Sequence, residues 1–184
     1  MQNARDVLTP DALTGRYAAA DPATDADLAR AREAIALTTP LAYPPLQAEA
    51  QLALGQAQLV AGEDEPAIPT LADAVGAALR LGDDPRLFDG LLALVEVTGW
   101  KLARDKEAAA WTALARGALE RTGKRPGDEA RLLVLEANVD IAAARNGEAA
   151  TRLERALQIL TTLHGPDSPR LGNALNSLGS AYLR

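Results

Sequence analysis

Leu52–Val75, LALGQAQLVAGEDEPAIPTLADAV, is the stretch from which the rest of the chain can be read. From Leu52 to Val60, apolar and small residues recur at three- and four-residue steps, the stripe of an amphipathic helix. Gly62 and the acids Glu63, Asp64 and Glu65 interrupt it, and Pro66 stands where a first helical turn tolerates proline. Ala67, Leu71 and Ala74 then open a second stripe. Two helices joined by so short a turn lie antiparallel, side by side. The second stripe returns as Ala108, Thr112 and Ala115, then as Ala149, Leu153 and Ala156, at steps of 41 residues. The first keeps step through its small residue: Gly55 is followed by Ala137 and Gly179, while Glu96, at the intermediate place, breaks the rule.

Punctuation agrees with this period. TTPLAYPP around Pro40 to Pro45, LGDDP at Leu81 to Pro85, KRPGD near Pro126 and HGPDSP near Pro166 separate one hairpin from the next. In LGDDP, Gly82 is expected to close one helix and Asp84 to cap the following one. Helices are predicted over 25–38, 45–61, 65–81, 85–103, 106–122, 127–145, 148–163 and 169–184, about eight in all. Each hairpin buries only part of its apolar surface and needs neighbours on both sides. The fold class expected is therefore all-α, an α-solenoid of antiparallel helix hairpins. Residues 1–23 read as a linker and 24–184 as the repeat domain. The final stripe, Leu171, Leu175, Leu178 and Tyr182, is expected to dock on the preceding hairpin. Ala174, Ala181 and Leu183 widen the apolar arc, which reads as a last repeat cut short.

Composition narrows the function. Of 184 residues 48% are hydrophobic but only 3% aromatic, so alanine and leucine carry the packing, as suits helices rather than a β-sandwich. No cysteine is present, which removes disulfides and thiolate chemistry. The net charge is −6, with 19 bases dispersed among 25 acids, so no basic stripe is offered to nucleic acid. No apolar run reaches membrane-spanning length, and MQNARDVLTP lacks a secretory apolar core. A cytoplasmic protein is expected.

Leu175-x2-Leu178-Gly179-x2-Tyr182 resembles the first-helix signature of the tetratricopeptide repeat, with Leu in place of the leading Trp, and Ala67, Leu71 and Ala74 resemble its second helix. The period exceeds the family's usual one, and LHGPDSPRLGNALNSLGSAYLR is similar to the extended repeats of kinesin light chain. Together with DPATDADLARAREAI and GWKLARDKEAAAW, it also resembles the repeat region behind the catalytic domain of myxobacterial-type bacterial serine/threonine kinases. The resemblance implies a right-handed superhelix whose first helices line a concave groove for a protein or peptide ligand. By that implication the groove shows Gln56, Trp100, Lys101, Arg131, Asn138, Asn173, Asn176 and Ser180. Asparagine suits the task, since one amide both donates to and accepts from a peptide backbone. The two-lysine-plus-asparagine clamp of some family members is not evident.

Candidate chemistry is sparse. His164 is the sole histidine and cannot build a zinc site without further ligands, and Ser168 beside it reads as a helix cap before Pro169. TGKRPGD lacks the glycine and strand of a phosphate loop. No kinase motif is present in these residues, so any kinase activity would belong to another domain. The acids Glu63, Asp64, Glu65, Asp83 and Asp84 sit at helix starts, where the helix dipole favours them and capping is their expected role. Trp100 and Trp111 read by default as packing residues, and Arg152 as a surface residue of a second helix. The expectation is a binding scaffold that is not an enzyme and holds neither cofactor nor metal. Self-association through the last helix is the alternative, and a small-molecule sensor or enzyme with an interhelical pocket a weaker one.

Overall fold

The computed structural model describes residues 22–183, and these form an all-α chain. Eight α-helices follow one another: α1 (Pro22–Thr38), α2 (Pro44–Val60), α3 (Asp64–Leu81), α4 (Asp84–Val95), α5 (Asp105–Arg121), α6 (Pro126–Ala142), α7 (Asn146–His164) and α8 (Gly172–Tyr182). A π-turn, Glu96–Lys101, continues α4, and short 3₁₀ turns precede α2 and α8. The linker expected over residues 1–23 lies outside the described residues except for Pro22 and Ala23, which begin α1.

The backbone repeats more faithfully than the sequence does. Pro44, Pro85 and Pro126 stand in the first turns of α2, α4 and α6, at steps of 41 residues, where the missing N–H costs nothing. The turns leaving these three helices each carry one left-handed residue, Gly62 (φ +77°), Ala103 (φ +51°) and Ala144 (φ +59°), again 41 apart. Two of these turns close alike: the Glu63 N–H donates to the Gln58 carbonyl and the Arg145 N–H to the Asp140 carbonyl, both at 2.8 Å. In the middle turn, Arg104 N–H reaches one residue further back, to the Thr98 carbonyl at 2.6 Å. That wider ring belongs to the π-turn.

Consecutive helices pack together from α1 to α8, and alternate members α2, α4, α6 and α8 also touch in sequence. The larger core surrounds Leu71, Phe88, Leu91, Leu94 and Val97, all fully buried between α2 and α5. A second gathers Ala137, Ala149, Leu153, Ala174 and Ala181 between α6 and α8. Small residues set the helix spacing. A Cβ added at Gly55 would lie 2.5 Å from the Leu71 side chain, and one at Gly99 would lie 2.5 Å from Val139 and 2.9 Å from Ala108. Ala108 and Ala149, assigned to close contacts by the period, are buried.

Four local expectations are corrected. The cap of α4 is Asp83, whose carboxylate accepts from the Arg86 N–H at 3.1 Å; Asp84 instead pairs with Arg121 at 2.5 Å. The acids opening α3 do not cap it. Glu63 holds Arg32 of α1 through both oxygens (2.8 and 2.9 Å), Asp64 holds Lys101 (2.9 Å), and Glu65 pairs with Arg104, so each ties a neighbouring element. Arg152 is no free surface residue: it bridges Asp140 and Glu136, two buried acids of α6 that Arg145 and Arg116 also hold. In α8 the docking stripe is rotated by about one residue. Leu171, Ala174 and Ala181 are buried and Leu178 packs beside them, whereas Leu175 and Tyr182 are exposed. The Tyr182 hydroxyl donates to Glu154 at 2.7 Å.

Candidate functional site

Two hollows lie along α2, α4, α6 and α8, and Glu96, Val134, Leu135 and Asn173 line both. The larger, about 720 Å³, is bounded by α2 through Gln56, Leu59 and Val60, by α4 through Asp89 and Leu92, and by α6 through Arg131. Lys101 and Arg170 stand at its edges. The smaller, about 450 Å³, continues along the π-turn, α6 and α8 between Trp100, Asn138, Asn176 and Ser180. Of the sequence-designated residues, Gln56, Lys101 and Arg131 therefore line the first hollow. Trp100, Asn138, Asn176 and Ser180 line the second, and Asn173 borders both.

Their freedom to meet a ligand differs. Gln56, Asn173 and Asn176 are exposed and Asn138 is half-buried. Ser180 spends its hydroxyl on the Asn176 carbonyl at 3.0 Å. Lys101 donates to the Leu59 carbonyl at 2.6 Å, near the C-terminal end of α2, and pairs with Asp64. Arg131 is held by Asp89 at 2.8 Å and lies over the Phe88 ring, 5.9 Å from its centroid. Trp100 does not take the packing role read for it by default. It is 51% exposed, although its counterparts one period away, Leu59 and Ile141, are buried. Trp111 does pack against the larger core.

The π-turn explains that displacement. In α2 and α6 the places of Gln56 and Asn138 face outward or half outward, but at the same place in the π-turn Val97 is fully buried. The buried stripe has slipped by about one residue, so Trp100 swings out and Gly99 takes the close approach to α5 and α6. Glu96 then borders the two hollows, half-buried. Burial pushes its carboxyl above the ordinary range; the charge of Lys101 works against this, and Asp64 adds to it. Sequence reasoning noted Glu96 only as a fault in the pattern and passed over Asp89, Arg170 and the apolar floor of Leu92, Val134 and Leu135. The floor leucines were indistinguishable from core on periodicity alone.

Among the described residues no group of three or more His, Asp or Glu is placed to hold a metal, and no helix is long and apolar enough to cross a membrane. His164 ends α7, exposed. No protein-family model and no curated protein sequence matches this chain.

Proposed function

We propose that this chain is a tetratricopeptide-like α-solenoid that binds a protein segment in the groove along α2, α4, α6 and α8. The observation carrying this reading is the pair of adjoining hollows on alternate helices, with an apolar floor and amide side chains at the rim. An extended or helical peptide suits such a surface: apolar side chains settle on Leu92, Val134 and Leu135, while Asn138, Asn173 and Asn176 pair with backbone groups. The resemblance to repeats behind bacterial kinase domains supports a regulatory region of a larger cytoplasmic signalling protein. Peptides selected from a random display library on the intact chain provide the probe. Calorimetry with one selected peptide should show a loss of about five-fold or more for the combined Asn138→Ala and Asn176→Ala variant, as backbone groups go unpaired. Lys106→Ala, an exposed change on α5, should leave affinity unchanged. Equal affinities across the three proteins would overturn the proposal.

Self-association has its own observation. Leu175 and Tyr182 of α8, and Leu183 just after it, are 52%, 66% and 88% exposed, an apolar surface suited to a second copy. Sedimentation of Leu175→Ser against the unaltered chain tests it, a monomer in both cases counting against this reading.

A further inference from the structure

We infer that the Glu96 carboxylate, where the two hollows join, is a specificity-determining anchor for a lysine or arginine side chain of the bound peptide. This rests on the groove reading above and names the chemistry of its occupant. Three independent features meet at this residue. The small-residue rule obeyed by Gly55, Ala137 and Gly179 breaks there. The helical ladder also breaks there, since Glu96 opens the π-turn, a backbone device common at functional sites. And no hydrogen bond or ion pair to Glu96 is present among the described residues, although it is half-buried.

Two of the three cations lining the larger hollow are spent, and the third, exposed Arg170, forms no ion pair with Glu96 among the described residues. Lys101 is engaged by Asp64 and the Leu59 carbonyl, and Arg131 by Asp89 and Asp128. A carboxylate kept part-way out of water without a partner is costly, and burial holds its affinity for protons above normal. A ligand cation arriving over the apolar floor of Leu92 and Val134 removes that cost and forms a charge-assisted hydrogen bond in a partly desolvated hollow. A packing role alone does not call for a charge here: the counterparts of Glu96 in α2 and α6 are Gly55 and Ala137, both buried.

The test uses random twelve-residue peptides displayed on phage and selected on the intact chain. Four proteins are compared: unaltered, Glu96→Gln, Glu96→Lys, and Glu120→Gln as a surface-acid control on α5, 63% exposed at its side chain. Glu96→Gln keeps the side chain's size and removes the charge that burial opposes, so it folds as the unaltered chain does, checked by thermal melt. The unaltered protein and Glu120→Gln should enrich a basic residue at one fixed place between apolar residues. Glu96→Gln should lose that enrichment while still selecting the apolar residues, and a synthetic selected peptide should bind it about ten-fold or more weakly. Glu96→Lys should enrich an acid at the same place. The same basic preference on Glu96→Gln as on the unaltered chain overturns this inference and leaves the groove intact. Peptides that bind regardless of Asn138 and Asn176, or no selection at all, overturn the groove and this inference with it.

Discussion

Alanine in place of Gly99 tests the close packing that holds the π-turn against its neighbours. The added methyl would meet Val139 at 2.5 and 3.1 Å and the Ala108 Cβ at 2.9 Å. These contacts come from two different helices, α6 and α5, so movement away from one does not relieve the other. Ala108 is 1% exposed and, as a methyl, has no rotamer into which to escape. Overpacking of this kind costs about 1–3 kcal/mol. Alanine also returns about 0.8–1 kcal/mol through its better helical preference, which blurs the raw change. Gly117 supplies the correction: it lies inside α5 with nothing within 4 Å of an added Cβ, so Gly117→Ala carries the preference without the clash. The difference between the two variants, about 1–3 kcal/mol, is then the steric cost itself. For a chain of 184 residues each kcal/mol shifts the melting midpoint by about 2–4 °C. Urea unfolding followed by circular dichroism measures it, read as a change in midpoint at constant slope. Gly99→Ala unfolding at the same urea concentration as Gly117→Ala, or a higher one, would refute the packing described for the π-turn.

Three further changes probe other joints. Ala144→Gly should stabilise by roughly 1 kcal/mol in thermal melts, because residue 144 sits at φ +59° where a Cβ is strained. Asp83→Ala should cost about 0.5–2 kcal/mol at neutral pH through loss of the α4 cap. The Arg86 N–H, and then the Arg86 guanidinium, hold the Asp83 carboxyl below its ordinary 3.8 against the opposing effect of burial. The stabilisation is therefore complete above that value and lost as the pH falls through the lower folded one, so the gap between Asp83→Ala and the unaltered chain should close in urea titrations taken below pH 3.8. Arg152→Ala should lower the urea midpoint by an amount equivalent to about 1–3 kcal/mol, since it strips one partner from buried Asp140 and Glu136, and Arg152→Lys should recover only part of it.

What the sequence made legible was the part fixed by period. Apolar steps and proline–glycine punctuation placed all eight helices to within about three residues once the π-turn is counted with α4, because each helix must bury one stripe and each turn must reverse the chain. Ala67, Ala108 and Ala149 are buried, as their shared register requires. What stayed hidden was local. Ala103 and Ala144 occupy left-handed turns where glycine would have announced the break, so nothing in their chemistry marked these positions. The cap fell to Asp83 rather than Asp84 because neighbouring acids offer the same group one residue apart. Acids at helix starts serve as ties between elements, since the distant arginines that reach them are brought near only by folding. The π-turn was the main loss: Glu96 was visible as a fault in the repeat, but the slip of the buried stripe that borders both hollows with it is a backbone event without a residue signature. The candidate site was legible as a set of outward positions on alternate helices, and its floor and its unpaired carboxylate were not.

The central claim is that ligand engages the face made by alternate helices. Backbone amide shifts recorded by NMR on the intact chain, with and without a selected peptide, test it most directly. The account predicts the largest changes at Gln56, Glu96, Asn138 and Asn173, on α2, the π-turn, α6 and α8, with α3, α5 and α7 little affected on their outer faces. Changes concentrated instead on exposed positions of α5 and α7, such as Ala110 and Gln158, with the hollows unmoved, would contradict it.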